Sequence, residues 1–201
     1  WVDRVGPWVG HGGGGGDMAK GGVGSALKFP HPGAHDRFVE HAVRGDASAR
    51  DIVLATLHAM REGGIYDQLA GGFHRYSVDA QWIVPHFEKM LYDNAGLLRN
   101  YARASVLDPS LLATGREITM FLRDILLQPD GGFGGSQDAD IDLDSTDLRR
   151  PRPNDRVWAD DGDYFTWSLN ELRDTLAGTG AVKLMAAAQH VHQHGGRAHD
   201  P

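Results

Sequence analysis

The sequence predicts an all-α fold assembled from antiparallel helical hairpins. Apolar residues recur at spacings of three and four over several long stretches, the signature of an amphipathic helix. Glycine or proline closes each stretch. A Gly-Gly-apolar pattern returns at Gly21, Gly63, Gly71 and Gly131, and between the last two copies lie two such stretches joined by a short turn. One helical hairpin per unit, with the glycine loops collected at one end of the helices, is the architecture this implies.

Taken in order, residues 1–33 are rich in glycine and proline and read as an irregular entry segment. A short helix is expected from His35 to Arg44, with Gly45 as its stop. A stronger helix follows to Glu62, capped by Asp46 or Ser48, with Val53, Leu57 and Met60 on its buried face. Gly63 and Gly64 are expected to end it in a left-handed conformation. Residues 63–82 form a long loop, with a short hairpin expected around Gly71–Gly72. Pro85 suits the first turn of a helix running to about Ser105, with Phe87, Leu91, Ala95, Leu98 and Tyr101 on one stripe. Asp108 reads as the next cap and Pro109 as the first helical residue. That helix carries Leu111, Gly115, Ile118, Leu122 and Ile125, and stops before Pro129.

A second long loop spans 129–163 and contains a Pro/Arg-rich insertion at 146–158. Asp163–Trp167 is strand-like, and Ser168-x-x-Glu171 is a capping box for a helix with Leu169, Leu172 and Leu176 on its face. Gly178 stops that helix, and a weak one covers Ala181–His190. The helical domain is thus expected over 34–194, with a frayed tail at 195–201.

Composition narrows the function. Apolar residues are 41% and charged residues 23%, as in globular proteins. The net charge of -7 disfavours nucleic acid as a partner, because phosphate binding needs a basic surface. No apolar run is long enough to span a bilayer, so no membrane role is expected. No secretory leader is visible, and the chain opens on Trp1, so its natural start is expected upstream or removed. The absence of cysteine removes disulfides, thiolate metal sites and thiol catalysis within the chain, and fits a cytoplasmic setting.

The densest polar cluster is Tyr66, Asp67, His74, Arg75, Tyr76, Trp82, His86, Glu88, Lys89, Tyr92 and Asp93. On a helix starting at Pro85, His86, Lys89 and Asp93 would share one face, with Glu88 and Tyr92 on the neighbouring one. Aromatic platforms beside carboxylates, a cation and a histidine suit a sugar-like ligand, and a histidine can serve as general acid or base near neutral pH. A second cluster, Gln137, Asp138 and Asp140, follows the glycines at 131–135. Its carboxylates could hold hydroxyls or act as acid and base. The alternating Asp138, Asp140, Asp142 and Asp144 fail the calcium-loop pattern, which wants Gly at position six and Glu at twelve. Gly10-x-Gly12-x-x-Gly15 lacks the strand and helix a dinucleotide fingerprint needs. No Walker or HExxH sequence is present, so neither a cofactor nor a metal is expected.

The segment GGIYDQLAGGFHRYSVDAQWIVPHFEKMLYDNAGLL closely resembles the signature of the spermatogenesis-associated protein 20 family, which includes bacterial thioredoxin-domain proteins. GGVGSALKFPHP, GGFGGSQDAD and DGDYFTWSLNEL resemble its flanking pieces, so the resemblance runs from about Asp17 to Leu176. It implies a thioredoxin-like domain, not found in this chain, followed by an (α/α)6 toroid similar to those of N-acylglucosamine 2-epimerases and six-hairpin glycosidases. About three of six hairpins would be present, and association with the rest of the toroid or self-association is the expected way to cover their exposed apolar faces. The loop at Gly21 lacks the family's usual aromatic third residue, and the loop at Gly131 lacks the aromatic that commonly follows Phe133. The expected site takes His86, Glu88, His74 and Asp138 as catalytic groups. Tyr66, Asp67, Arg75, Tyr76, Trp82, Lys89, Tyr92, Asp93, Gln137 and Asp140 are expected to bind the substrate. An epimerase-like or glycosidase-like enzyme, a non-catalytic binding or scaffold module, and an inactive remnant stay open as alternatives.

Overall fold

The computed structural model describes residues 20–22, 27–139, 162, 165–166, 169–177 and 181. The chain divides into two compact units, Trp1–Gln137 and Asp138–Pro201. In the first unit, α1 spans Pro32–Val43, α2 Ala47–Glu62, α3 Leu91–Ala104 and α4 Leu111–Phe121. A π-helical turn, Leu122–Leu126, prolongs α4. Four two-residue strands, β1 (Tyr76–Ser77), β2 (Pro85–His86), β3 (Lys89–Met90) and β4 (Ser136–Gln137), lie in the loops. In the second unit, α5 spans Leu169–Thr175.

Two hairpins result, α1 with α2 and α3 with α4. Pro32 opens α1, earlier than expected, because its fixed φ suits the first helical position. His35, Phe38, Val39 and Ala42 form the buried stripe of α1. Asp46 caps α2 by accepting from the Ala49 amide at 3.0 Å. Ala49, Ile52, Val53, Thr56, Leu57 and Met60 face the core. A side chain added at Gly96 would strike Pro32, and Asp36 pairs with Arg99 at 3.0 Å and with Arg103. The two series ascend together, so α1 and α3 run parallel. Neighbouring hairpins with like helices side by side are the construction of an α/α toroid, here incomplete. Of the third expected hairpin, α5 is described; the strand-like DYFTW is described only at Phe165 and Thr166, whose amides fold back onto the Gly162 carbonyl in a turn. Ser168, Gly178 and most of Ala181–His190 lie outside the described residues.

Both hairpins put their loops at one end, where α1 and α3 begin and α2 and α4 finish. Backbone pairing ties these loops together. Lys28 bridges Ser77, β1 pairs with β2, and β3 pairs with β4. Below them Phe73 stacks on Tyr101 at 5.4 Å, and the Tyr101 hydroxyl donates to the Leu57 carbonyl.

Four expectations are corrected. The helix expected from Pro85 starts at Leu91; residues 84–90 are extended, held by Val78 N–H to Val84 O and Arg75 N–H to Glu88 O. Phe87 and Lys89 are buried while His86, Glu88 and Met90 are partly exposed, a period of two. His86, Lys89 and Asp93 therefore share no helical face, and neither do Glu88 and Tyr92. The buried face of α3 is Asp93, Asn94, Leu97, Asn100, Tyr101 and Ala104, and Ala95 is exposed. Gly63 is extended, at φ -85° and ψ 170°, not left-handed. Glycine is needed at 63 and 64 because the Trp82 and Ile83 carbonyl oxygens lie 2.4 and 2.0 Å from where a Cβ would sit. Finally, α4 begins at Leu111 with Asp108 outside it, bonding the Ser110 amide, and Ile125 is exposed. The π turn inserts a residue into the helical count, so Leu126 takes the buried place expected of Ile125.

Candidate functional site

The residues of the dense polar cluster separate into two layers. The inner layer is a lock. Lys89 is fully buried, and its ammonium lies 2.7 Å from Asp67 Oδ2 and 2.9 Å from the Gly71 carbonyl, above the Phe121 ring. Asp67 Oδ1 receives the Leu69 and Ala70 amides, each at 2.9 Å. Burial by itself would raise the Asp67 pKa; the Lys89 charge and these hydrogen bonds outweigh it and hold the carboxyl below its usual range. Burial also lowers the Lys89 pKa, against the attraction of Asp67. The pair clamps the turn at Gly71 and Gly72, both at positive φ, and a Cβ on Gly72 would collide with the Phe121 ring. Tyr66 bridges antiparallel to Phe73 across this turn, so the hairpin expected there is present as a single bridge.

His74 belongs to the same layer. It is 3% exposed, and with the ring neutral its Nδ1–H donates to the Phe87 carbonyl at 2.8 Å. Burial, reinforced by the Lys89 charge, drives its pKa down to about 3. The Tyr66 hydroxyl donates to Glu117, and burial followed by that hydrogen bond pushes its pKa up. Trp82 is fully buried at φ 66°; its indole N–H donates to the Lys20 carbonyl at 3.0 Å and its ring packs on Gly22. Lys28, also fully buried, donates to Gly21 O at 2.7 Å and lies 5.4 Å from the Trp82 ring. Asn94 completes the lock, exchanging hydrogen bonds with the Phe73 backbone and donating to the Met90 carbonyl. Sequence reasoning missed Lys28 and Asn94. Lys28 sat unremarked in the entry loop, and Asn94 reads as one more polar residue on a helix.

The outer layer is open. Tyr76 pairs with His86 across β1 and β2, and their rings stack at 4.9 Å and 25°. Phe29 extends the stack, 4.9 Å from Tyr76 and 6.0 Å from His31. One step along, the Arg75 amide meets the Glu88 carbonyl rather than that of Phe87. This register slip is a bulge that turns Phe87 inward and leaves His86 and Glu88 on the outer side. The Arg75 guanidinium lies 3.0 Å from Glu88 and also bonds Tyr92, which is 60% exposed. Asp93, in the first turn of α3, is 7% exposed. Burial pushes its carboxyl up to about 6; Arg75 pulls it down and Glu88 pushes it further up. Such a carboxyl can exchange a proton near neutral pH. Phe29 and His31 were also missed by sequence reasoning, because their part in the stack arises only when Lys28 bridges Ser77.

From the second predicted cluster, Gln137 stands opposite Lys89 in the β3–β4 pair, half-buried. Asp138 is exposed and opens the second unit. Asp140, Asp142 and Asp144 lie outside the described residues.

Paired helices with glycine-aromatic loops at their shared end make this chain a segment of an α/α-toroid protein. It is 36% identical over 189 residues to human spermatogenesis-associated protein 20, and 34% identical over 189 residues to the mouse protein of that name. The matched stretch, 90% of the chain, belongs to the spermatogenesis-associated protein 20 family; it spans 23% of the length of those relatives. No family model matches. The crystal structure of a sugar epimerase from a ruminal bacterium is similar over 60% of this chain and 34% of that one, with a TM-score of 0.49 and 15% identity. Among the described residues no helix is long and apolar enough to cross a membrane.

Proposed function

We propose that the outer layer binds a sugar-like ligand and that proton transfer at this face supports an epimerase- or isomerase-type reaction. The stack of Tyr76 on His86 beside the Arg75–Glu88 pair carries this reading. Ring faces suit the apolar faces of a sugar, and a charged pair next to them suits its hydroxyls. His86, Glu88 and Asp93 are the groups from which acid and base are drawn. His74 has the role of a positioning residue in this reading, since a buried imidazole with a pKa near 3 is a poor proton carrier at neutral pH. A glycosidase-type hydrolytic reaction that draws on a carboxylate such as Glu88 is the alternative. Cytoplasmic location and assembly with further hairpins belong to the same proposal.

The test is turnover of N-acylglucosamines and of aryl glycosides by the full chain. Epimerisation lost in His86→Ala and kept in Asp138→Ala supports the isomerase. Loss in Glu88→Gln with aryl glycosides supports hydrolysis. A second reading is binding without turnover. It predicts sugar-dependent shifts of the Tyr76 resonances, no product, and tolerance of Glu88→Gln.

A further inference from the structure

Resting on the sugar-binding reading, we propose that the ligand of the outer layer carries a cationic nitrogen, as an amino sugar does, rather than an N-acyl group or a phosphate. The charge count of the face leads there. Glu88 and Asp93 bring two carboxyls, and Arg75 brings one guanidinium. Arg75 pairs with Glu88 at 3.0 Å and interacts with Tyr92, while its Nε has no hydrogen-bond partner among the described residues. Asp93 makes no direct hydrogen bond or ion pair among the described residues, although its residue is nine-tenths buried. It feels Arg75 and Glu88 only through space, with opposite signs. A desolvated carboxyl without its own cation is unfavourable when ionised, and a cation from outside relieves it.

The aromatic rings favour the same charge. Phe29, Tyr76 and His86 form a continuous stack with spacings of 4.9 Å, and the faces of phenyl and phenol rings attract cations. A phosphate would instead meet two carboxyls and a single guanidinium whose charge Glu88 already balances. An N-acyl group would bring a neutral amide and leave the Asp93 charge unbalanced.

The experiment measures binding of D-glucosamine, N-acetyl-D-glucosamine and D-glucose to the full chain by calorimetry at neutral pH. Glucosamine is expected to bind about tenfold more tightly than the other two, the ratio for one charge-assisted hydrogen bond. Asp93→Asn is expected to erase that preference. Equal or tighter binding of N-acetylglucosamine or glucose by the unaltered chain overturns the cationic ligand and leaves the sugar reading standing. Failure of all three sugars to bind removes the sugar reading, and this inference with it. If Asp93→Asn does not fold, a pH series on the unaltered chain decides. The amine stays charged on acidification, so weakening of glucosamine but not glucose between pH 7 and 5 places the loss on the protein. Arg75 stays charged over that range, whereas Glu88 and His86 are the other titratable groups beside Tyr92 on the same face. The series is therefore repeated in Glu88→Gln and His86→Asn. A loss that persists in both belongs to Asp93, and a flat series overturns the proposal.

Discussion

Two sets of polar side chains interleave between Tyr66 and Asn94, and they differ in what surrounds their charges. In the inner set, Asp67, His74, Lys89 and Asn94 spend their donors and acceptors on backbone groups or on each other. In the outer set, Arg75, Tyr76, His86, Glu88 and Tyr92 make few bonds to the main chain and keep a side toward solvent, and Asp93 is buried with no side-chain bond of its own among the described residues. The types of residue are nearly the same. What separates them is whether a main-chain group is within reach. Buried polar groups need such partners, and a group that has found them has little left for a ligand. Residue type alone is thus a poor guide to which histidine or carboxylate does chemistry in a loop of this kind.

The largest way to sharpen this contrast is to remove one half of the buried ion pair. Lys89→Ala leaves Asp67 charged and desolvated, and is expected to destabilise the fold by about 3–5 kcal/mol in urea unfolding. Glu88→Gln, on the outer layer, should leave the melt close to unchanged, since partly exposed pairs add little. Comparable losses for the two variants would dissolve the distinction between layers. Gly72→Ala is next. It must accommodate a methyl group 2.6 Å from the Phe121 ring at φ +78°, which should cost about 2 kcal/mol or more.

Acid should act on the layers with opposite signs. His74 and His35 have pKa values lowered by burial to about 3 and about 4, so the unfolded chain takes up protons first as the pH falls below 6.5. Their contribution to stability is present above that pH and is lost on descent through the window down to pH 3–4. Asp93 runs the other way. Its raised pKa makes the folded form the better proton acceptor between about 6 and 3.8, so its unfavourable ionisation is relieved on acidification. Both buried histidines outweigh the one carboxyl, and a net fall in melting temperature from pH 7 to 4 is expected. His74→Phe should flatten that fall, and a fall of unchanged depth would remove His74 from the explanation. The smallest expected effect is local: Arg75→Met should raise the Asp93 pKa, read by carboxyl-carbon NMR, because Arg75 now pulls it down. An unmoved Asp93 signal would show that the outer charges do not sense one another.

How much of this was legible in the sequence depends on which partner each residue has. The faces of α2 and of the first turns of α4 were readable because burial there follows a helical period that the chain itself displays. The start of α3 was not. Phe87 and Leu91 are spaced as on a helix, but Phe87 also alternates with its neighbours as in a strand, and the strand won because the chain at Arg75 and at Ser136 offers hydrogen-bond partners from far away in sequence. The cluster of candidate residues was visible as a set, yet its division into lock and face was not. That division rests on the Phe87 bulge, which no local pattern announces. Gly63 and Gly64 show the converse: their need for glycine was legible, but the reason is close backbone approach and not handedness.

The π turn at Leu122–Leu126 leads into the next loop. The turn takes up one surplus residue, so Leu126 sits about where an unbroken α-helix would have put Ile125. From that exit the chain leaves Leu127, turns through Gly131 and delivers Ser136 and Gln137 to the edge of β3. Deleting a single residue between Leu122 and Leu126 would let the last turn relax to an ordinary α-helix while the following loop keeps its point of departure. Relatives that vary in length should therefore tolerate a one-residue gap within those five positions.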